Sequence, residues 1–123
     1  MLKLLLDEHI SPHVAKGLRR QHRWLTVDFM TEWEHGRFLG QDDAACLEHA
    51  AERGLTLVTY DRRTIPPLLK DWAEAGRKHG GAIFIDEKTI SPSDIGGQVR
   101  ALSKLLGEAA GWDWANRTCF LQR

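Results

Sequence analysis

Two rhythms of apolar residues alternate along the chain. Leu2 to Leu6 is a short apolar run that stops at Asp7-Glu8, the pattern of a buried strand. Ser11-Pro12 follows, pairing a capping hydroxyl with a residue suited to a first helical turn. Val14, Ala15 and Leu18 then recur at helical spacing, with Arg19, Arg20 and Arg23 expected to face outward. Leu25 to Met30 reads as a second strand, and Glu32 to Gln41 is the most loop-like stretch. Asp42 or Asp43 opens a helix carrying Ala45, Cys46, Leu47, Ala50 and Ala51, which Gly54 ends. Leu55 to Thr59 is a β-branched strand closed by Tyr60-Asp61. Thr64 and Pro66-Pro67 open a third helix with Leu68, Leu69, Trp72 and Ala75, and Gly80-Gly81 is expected to break it. Ala82 to Ile85 is a fourth strand ending at Asp86. Ser91-Pro92 repeats the helix-start signal ahead of the clearest amphipathic stripe, Ile95, Val99, Leu102, Leu105 and Leu106. Thr118 to Leu121 is a short last strand.

Strands alternating with helices predict an α/β fold with a parallel sheet and right-handed crossovers. Ligands of such sheets bind outside the carboxyl ends of the strands. Three of the apolar runs end there in an acid: Asp7, Asp61 and Asp86. Asp42-Asp43, opening a helix after the second strand, belongs to the same edge. Carboxylates gathered in one place repel unless a divalent cation neutralises them, and an oxygen-rich set of this kind suits Mg²⁺ or Mn²⁺. Removing one charge, as in Asp61→Asn, is then expected to leave the metal-free protein as stable as before or more so. Acids at strand ends also begin turns and cap helices. Ser11, Thr64 and Ser91 lie nearer the helix starts and are expected to do that capping, which leaves the acids at 7, 61 and 86 surplus to it. One of Asp42 and Asp43 caps its own helix, and Asp86-Glu87-Lys88 also reads as a solvated turn. Asp7 is read as the inward ligand of the Asp7-Glu8 pair, with Glu8 either supporting it or standing as the alternative at that position, because neighbouring strand residues point to opposite faces. Thr59, two residues before Asp61, can support a carboxylate or simply reflect strand propensity.

Composition narrows the field. A chain of 123 residues is the size of one domain, and 42% apolar residues supply a core. No run reaches the roughly 18–20 apolar residues of a membrane span, nor the apolar stretch of a signal peptide, so a cytoplasmic location away from membranes is expected. The 17 basic and 17 acidic residues cancel, which excludes a grip on nucleic acid by overall charge but not by a local patch. Cys46 and Cys119 sit in no C-x-x-C and read as reduced, buried thiols. The six histidines lack zinc spacing: Pro12 stands between His9 and His13, and no H-E-x-x-H occurs. Arg62 and Arg63 directly follow Asp61 and can hold substrate phosphates, or belong to a solvated loop. Trp112 and Trp114 flank Asp113 where a partner can be buried.

The segments LLLDEHISPHVAKGLR, DDAACLEHAAERG, LTLVTYDRRTIPPLL and GGAIFI resemble the PIN-like domains of the "DEN" type, which are related to PIN-domain toxins of bacterial toxin–antitoxin pairs. The resemblance covers Leu2 to Ile85. It implies a single PIN-like domain over residues 1–123, a three-layer α/β/α sandwich on a mainly parallel five-stranded sheet. It further implies a Mg²⁺- or Mn²⁺-dependent endoribonuclease acting on RNA, the toxin of a pair with an antitoxin protein as partner; a homodimer is left open. Asp7 matches the first strand acid, Asp42 or Asp43 the helix-start acid, and Asp61 the acid of the T-x-D block. The implied catalytic acids are therefore Asp7, Asp43 and Asp61, with Asp42 and Asp86 added as candidate metal ligands. His9 stands where the family pattern has Asn, and the fourth acid of full PIN nucleases has no secure counterpart beyond Asp86. Two other readings compete. A receiver domain has similar length and order, with Asp61 as phosphoacceptor, but wants a Lys after the fifth strand, where this chain has Leu121-Gln122-Arg123. A PIN-like binding module without catalysis is the other.

Overall fold

In the computed structural model, which describes residues 2–30, 43–109 and 111–121, each short apolar run becomes a strand and each periodic stretch a helix. The elements are β1 (Lys3–Leu6), α1 (Pro12–Gln21), β2 (Thr26–Phe29), α2 (Asp43–Glu52), β3 (Thr56–Thr59), α3 (Ile65–Glu74), β4 (Ala82–Phe84), α4 (Ile95–Ala109) and β5 (Thr118–Phe120). The expected loop from Glu32 to Gln41, and Asp42 with it, lies outside the described residues. All pairings are parallel, in the order β2-β1-β3-β4-β5.

Strand alternation divides the core into two. Leu4, Leu6, Val58 and Ile83 pack with Val14, Leu18, Val99 and Leu102, which places α1 and α4 on one face. Leu5, Leu57, Ala82 and Phe84 pack with Leu47, Ala50, Leu69 and Trp72, which places α2 and α3 on the other. The fold is a three-layer α/β/α sandwich on an all-parallel five-stranded sheet.

The crossovers are not uniform in hand. From β3 to β4 and from β4 to β5 the chain steps the same way along the sheet, yet α3 and α4 lie on opposite faces. The β4–α4–β5 crossover therefore has the hand opposite to the other three, against the expected uniform hand. Burial explains the exception. Two helices already cover one face, and α1 alone would leave much of the other exposed. The stretch 85–94 is long enough to pass over the carboxyl edge, delivering α4 beside α1. Tyr60 pins this stretch by donating its hydroxyl to the Ile90 carbonyl at 2.9 Å.

Most local signals hold. Ser11 caps α1, accepting from His13 N–H at 3.2 Å. Arg19, expected to face out, is half-buried: its guanidinium donates to the Val27 carbonyl of edge strand β2 and lies 5.6 Å from the Phe29 ring centre. α3 ends well before Gly80, because Gly76 at φ +72° turns left-handed. Gly76 N–H then reaches the Ala73 carbonyl and Arg77 N–H the Trp72 carbonyl, a Schellman closure. α4 starts four residues after Ser91, and Asp94 caps it by accepting from Gly97 N–H at 2.9 Å. Neither cysteine forms a disulfide: Cys46 is buried, while Cys119 is only half-buried, its thiol pushed up by burial against the opposing pull of Arg117.

Candidate functional site at the carboxyl edge

The strand order reverses direction at β1: β2 lies to one side of it and β3 to the other. The crevice outside β1 and β3 is the switch point at which sheets of this order bind ligands. Leu6 of β1 stands beside Val58 of β3, so the next residues, Asp7 and Thr59, emerge side by side.

Thr59 is fully buried, and its hydroxyl joins two acids. It donates to Asp7 Oδ2 at 2.6 Å and accepts the Asp61 backbone N–H at 2.9 Å. Asp7 Oδ1 accepts the Glu8 N–H at 2.7 Å. Asp61 Oδ1 accepts the N–H groups of Arg63 and Thr64, both at 2.9 Å. Its Oδ2 takes the Thr64 hydroxyl, which also lies 3.0 Å from Asp43 Oδ2. The result is a continuous chain, Asp7–Thr59–Asp61–Thr64–Asp43, drawn from the ends of β1 and β3 and the starts of α2 and α3. Thr64 has one hydroxyl proton for two carboxylates. The amides hold Asp61, whereas Asp43 shares that one donor.

Thr64 thus plays a part different from the expected one. It makes no side-chain cap to α3, and Asp61 instead accepts the amides of Arg63 and Thr64, just ahead of that helix. Asp61 is therefore tied into the turn that leads into α3, because an aspartate side chain reaches the amides two and three residues further on. Burial pushes the Asp61 carboxyl up, but the Thr64 hydroxyl, the Thr64 and Arg63 amides and the charge of His9 together outweigh it, and the net shift is downward. The folded protein therefore favours Asp61 as a carboxylate. This reverses the expectation that neutralising it would relieve strain.

The remaining candidates sit around this chain. Glu8 is exposed and offers Asp7 only its backbone N–H. Asp86 accepts the Lys88 N–H at 3.0 Å in a turn and faces Arg62 at 3.5 Å. Arg62 also lies 5.3 Å from the centre of the exposed Phe120 ring. Arg63 is exposed. Asp61, Arg62, Arg63 and Asp86 line a cleft of about 400 Å³. His9 and Pro92 border a second, of about 450 Å³, on the other side of Asp61. The sequence marks Thr64 as a helix cap and His9 as a departure from the family's Asn, and neither pattern places them beside the Asp61 carboxylate.

Among the described residues, no three His, Cys, Asp or Glu side chains form a preset metal-binding group. Mg²⁺, however, usually keeps several waters and takes only one or two protein carboxylates. Asp43 and Asp61, whose Oδ2 atoms converge on one hydroxyl, are such a pair, with Asp7 one hydroxyl further along. The donor chemistry fits a hard, largely hydrated cation. Comparison of the chain with protein-family models, with curated proteins and with solved structures found no match.

Proposed function

We propose that this chain is a metal-dependent endoribonuclease, the toxin half of a toxin–antitoxin pair. The observation that carries the reading is the hydrogen-bonded chain joining Asp7, Asp61 and Asp43 through two threonine hydroxyls at the switch point. Asp43 and Asp61 would hold Mg²⁺ or Mn²⁺, with Asp7 beside them. The bound ion supplies charge stabilisation at a phosphate and lowers the pKa of an attacking water. The protein's own groups do the rest. Amide and hydroxyl donors keep Asp61 ionised and fixed in direction. Thr59 holds Asp7 in one rotamer, so its carboxylate is oriented before substrate arrives. Arg63, exposed at the mouth of the cleft, is free to meet a phosphate. Arg62 begins paired to Asp86, an exposed contact worth little, so an incoming phosphate can displace that carboxylate.

One observation favours a second reading. The order β2-β1-β3-β4-β5 is also that of receiver domains. Against it, both oxygens of Asp61 are engaged, and the β4–α4–β5 crossover has the opposite hand to the rest of the sheet. The test is cleavage of single-stranded RNA in manganese buffer. Wild type is expected to cut, and Asp7→Asn and Asp61→Asn to lose activity while remaining folded. Full activity in both variants overturns the site. In cells, wild type should slow growth and Asp7→Asn relieve it. Incubation with acetyl phosphate and magnesium, read by intact mass, gives a phosphoadduct only if the receiver reading is right.

A further inference from the structure

The opposite edge of the sheet carries a cavity that the acid site does not use. Lys3 at the start of β1, Thr56 at the start of β3 and Gly80 just before β4 line its floor. Its volume is about 410 Å³, within the roughly 300–1,000 Å³ of small-molecule sites. Strands of three or four residues separate it from the acids, a distance on the order of 13 Å at about 3.3 Å per residue.

Its outer wall is a loop, 112–117, held in place by hydrogen bonds. Asn116 takes a left-handed φ of 60°. From there its N–H donates to the His79 carbonyl at 2.9 Å, and its Oδ1 accepts the His79 N–H at 3.0 Å. Arg117 donates from Nε to the Asp113 carbonyl at 3.0 Å. Gly81 at φ +100° lets the loop close, since a Cβ there would stand 2.6 Å from the Trp114 carbonyl oxygen.

The lining has a definite chemistry. Trp112 is 40% exposed and faces Trp114 with ring centres 5.7 Å apart, and the Arg117 guanidinium lies 4.7 Å from the Trp112 ring centre. Lys3 and Lys78 contribute exposed ammonium groups. The acid of the lining, Asp113, is already accepting the Ala115 N–H at 3.0 Å. His79 Nδ1 accepts the Gly81 N–H at 3.0 Å, so the neutral ring carries its proton on Nε2 as a donor. Burial lowers the pKa of His79, which favours that neutral form. A planar aromatic wall with cationic and neutral donors selects a ligand that is both flat and anionic. A hollow of this size matches a small molecule.

We propose that this cavity binds a free mononucleotide, its base against Trp112 and its phosphate on Lys3 and Lys78. The inference stands apart from the nuclease reading, and the experiment keeps the two separate. Calorimetric titration of the full chain in chelator, which removes any metal-held nucleotide at the acids, is run with adenosine monophosphate, adenosine and inorganic phosphate. The monophosphate should bind saturably at one site, and more tightly than either fragment. Trp112→Ala and Lys78→Gln should each weaken it about tenfold or more, in keeping with the worth of one base stacked on an aromatic ring. Asp7→Asn should bind as wild type. Lys78 is exposed, so that variant remains informative should Trp112→Ala fail to fold. Absence of saturable binding at millimolar nucleotide, equal binding of either fragment, unchanged affinity in Lys78→Gln, or lost binding in Asp7→Asn overturns the site.

Discussion

Both oxygens of Asp61 are tied into the turn that leads into α3. Its Oδ1 accepts the Arg63 and Thr64 amides, and its Oδ2 the Thr64 hydroxyl. Since its pKa is lowered on folding, it contributes stability above the unfolded value, and that contribution is lost as pH falls through the folded value. Asp61→Ala should therefore cost about 1–3 kcal/mol at neutral pH, the usual cost of hydrogen bonds lost from a charged acceptor. Asp61→Asn keeps an amide-accepting oxygen and should cost less, but still melt below wild type. The gap between Asn variant and wild type should close as pH drops below about 4, where the wild-type carboxylate protonates too. Melting at neutral and acid pH checks both the size and the direction. Thr59→Val keeps the shape of a fully buried side chain but strands the Asp61 N–H and removes the donor to Asp7. A loss of about 1–3 kcal/mol in urea unfolding is expected, with recovery in Thr59→Ser.

Among the elements, the termini rather than the interiors carry the informative residues. The two ends of the α3–β4 connection use glycine for different reasons. Gly76 needs only its left-handed φ, for nothing stands within 4 Å of where a Cβ would be. Gly81 needs both φ +100° and the space beside Trp114. Gly76→Ala should cost about 1–2 kcal/mol, the strain of a left-handed non-glycine residue. Gly81→Ala should cost clearly more, because backbone must also move. Denaturant midpoints of the two variants, compared side by side, test the ordering; equal losses would mean the loop at Trp114 yields freely.

For the molecule as a whole, the sandwich brings the starts of two helices and the ends of two strands to one crevice. A cation binding only the folded state stabilises it by RT ln(1 + [L]/Kd), about 2.7 kcal/mol at a hundredfold excess over Kd. At roughly 4–8 °C per kcal/mol for slightly smaller domains, wild type should gain several degrees in Mn²⁺. Asp61→Asn should gain little. If both proteins shift alike, or neither shifts, the carboxylates serve helix starts and turns alone. Among the described residues no helix is long and apolar enough to cross a membrane.

All nine elements among the described residues were legible in the chain, because strand and helix periodicities are local and the runs were short and clean. So were the strand-end positions of Asp7, Asp61 and Asp86, since an acid after an apolar run needs no knowledge of its neighbours. What local pattern does not contain is who stands beside whom. Sheet order put Asp7 next to Thr59, 52 residues later, and packing set Thr64 against Asp43, 21 residues earlier. The demand to cover the second face of the sheet sent α4 beside α1 with the opposite hand of crossover. The same folding drew Lys3, Lys78 and Trp112 around one hollow at the far edge. The sequence by itself determined the elements and the places where acids emerge from them. Only the tertiary structure decided which of those acids meet a common threonine hydroxyl, because hydrogen bonds between distant residues depend on strand neighbours and helix faces that no local period encodes.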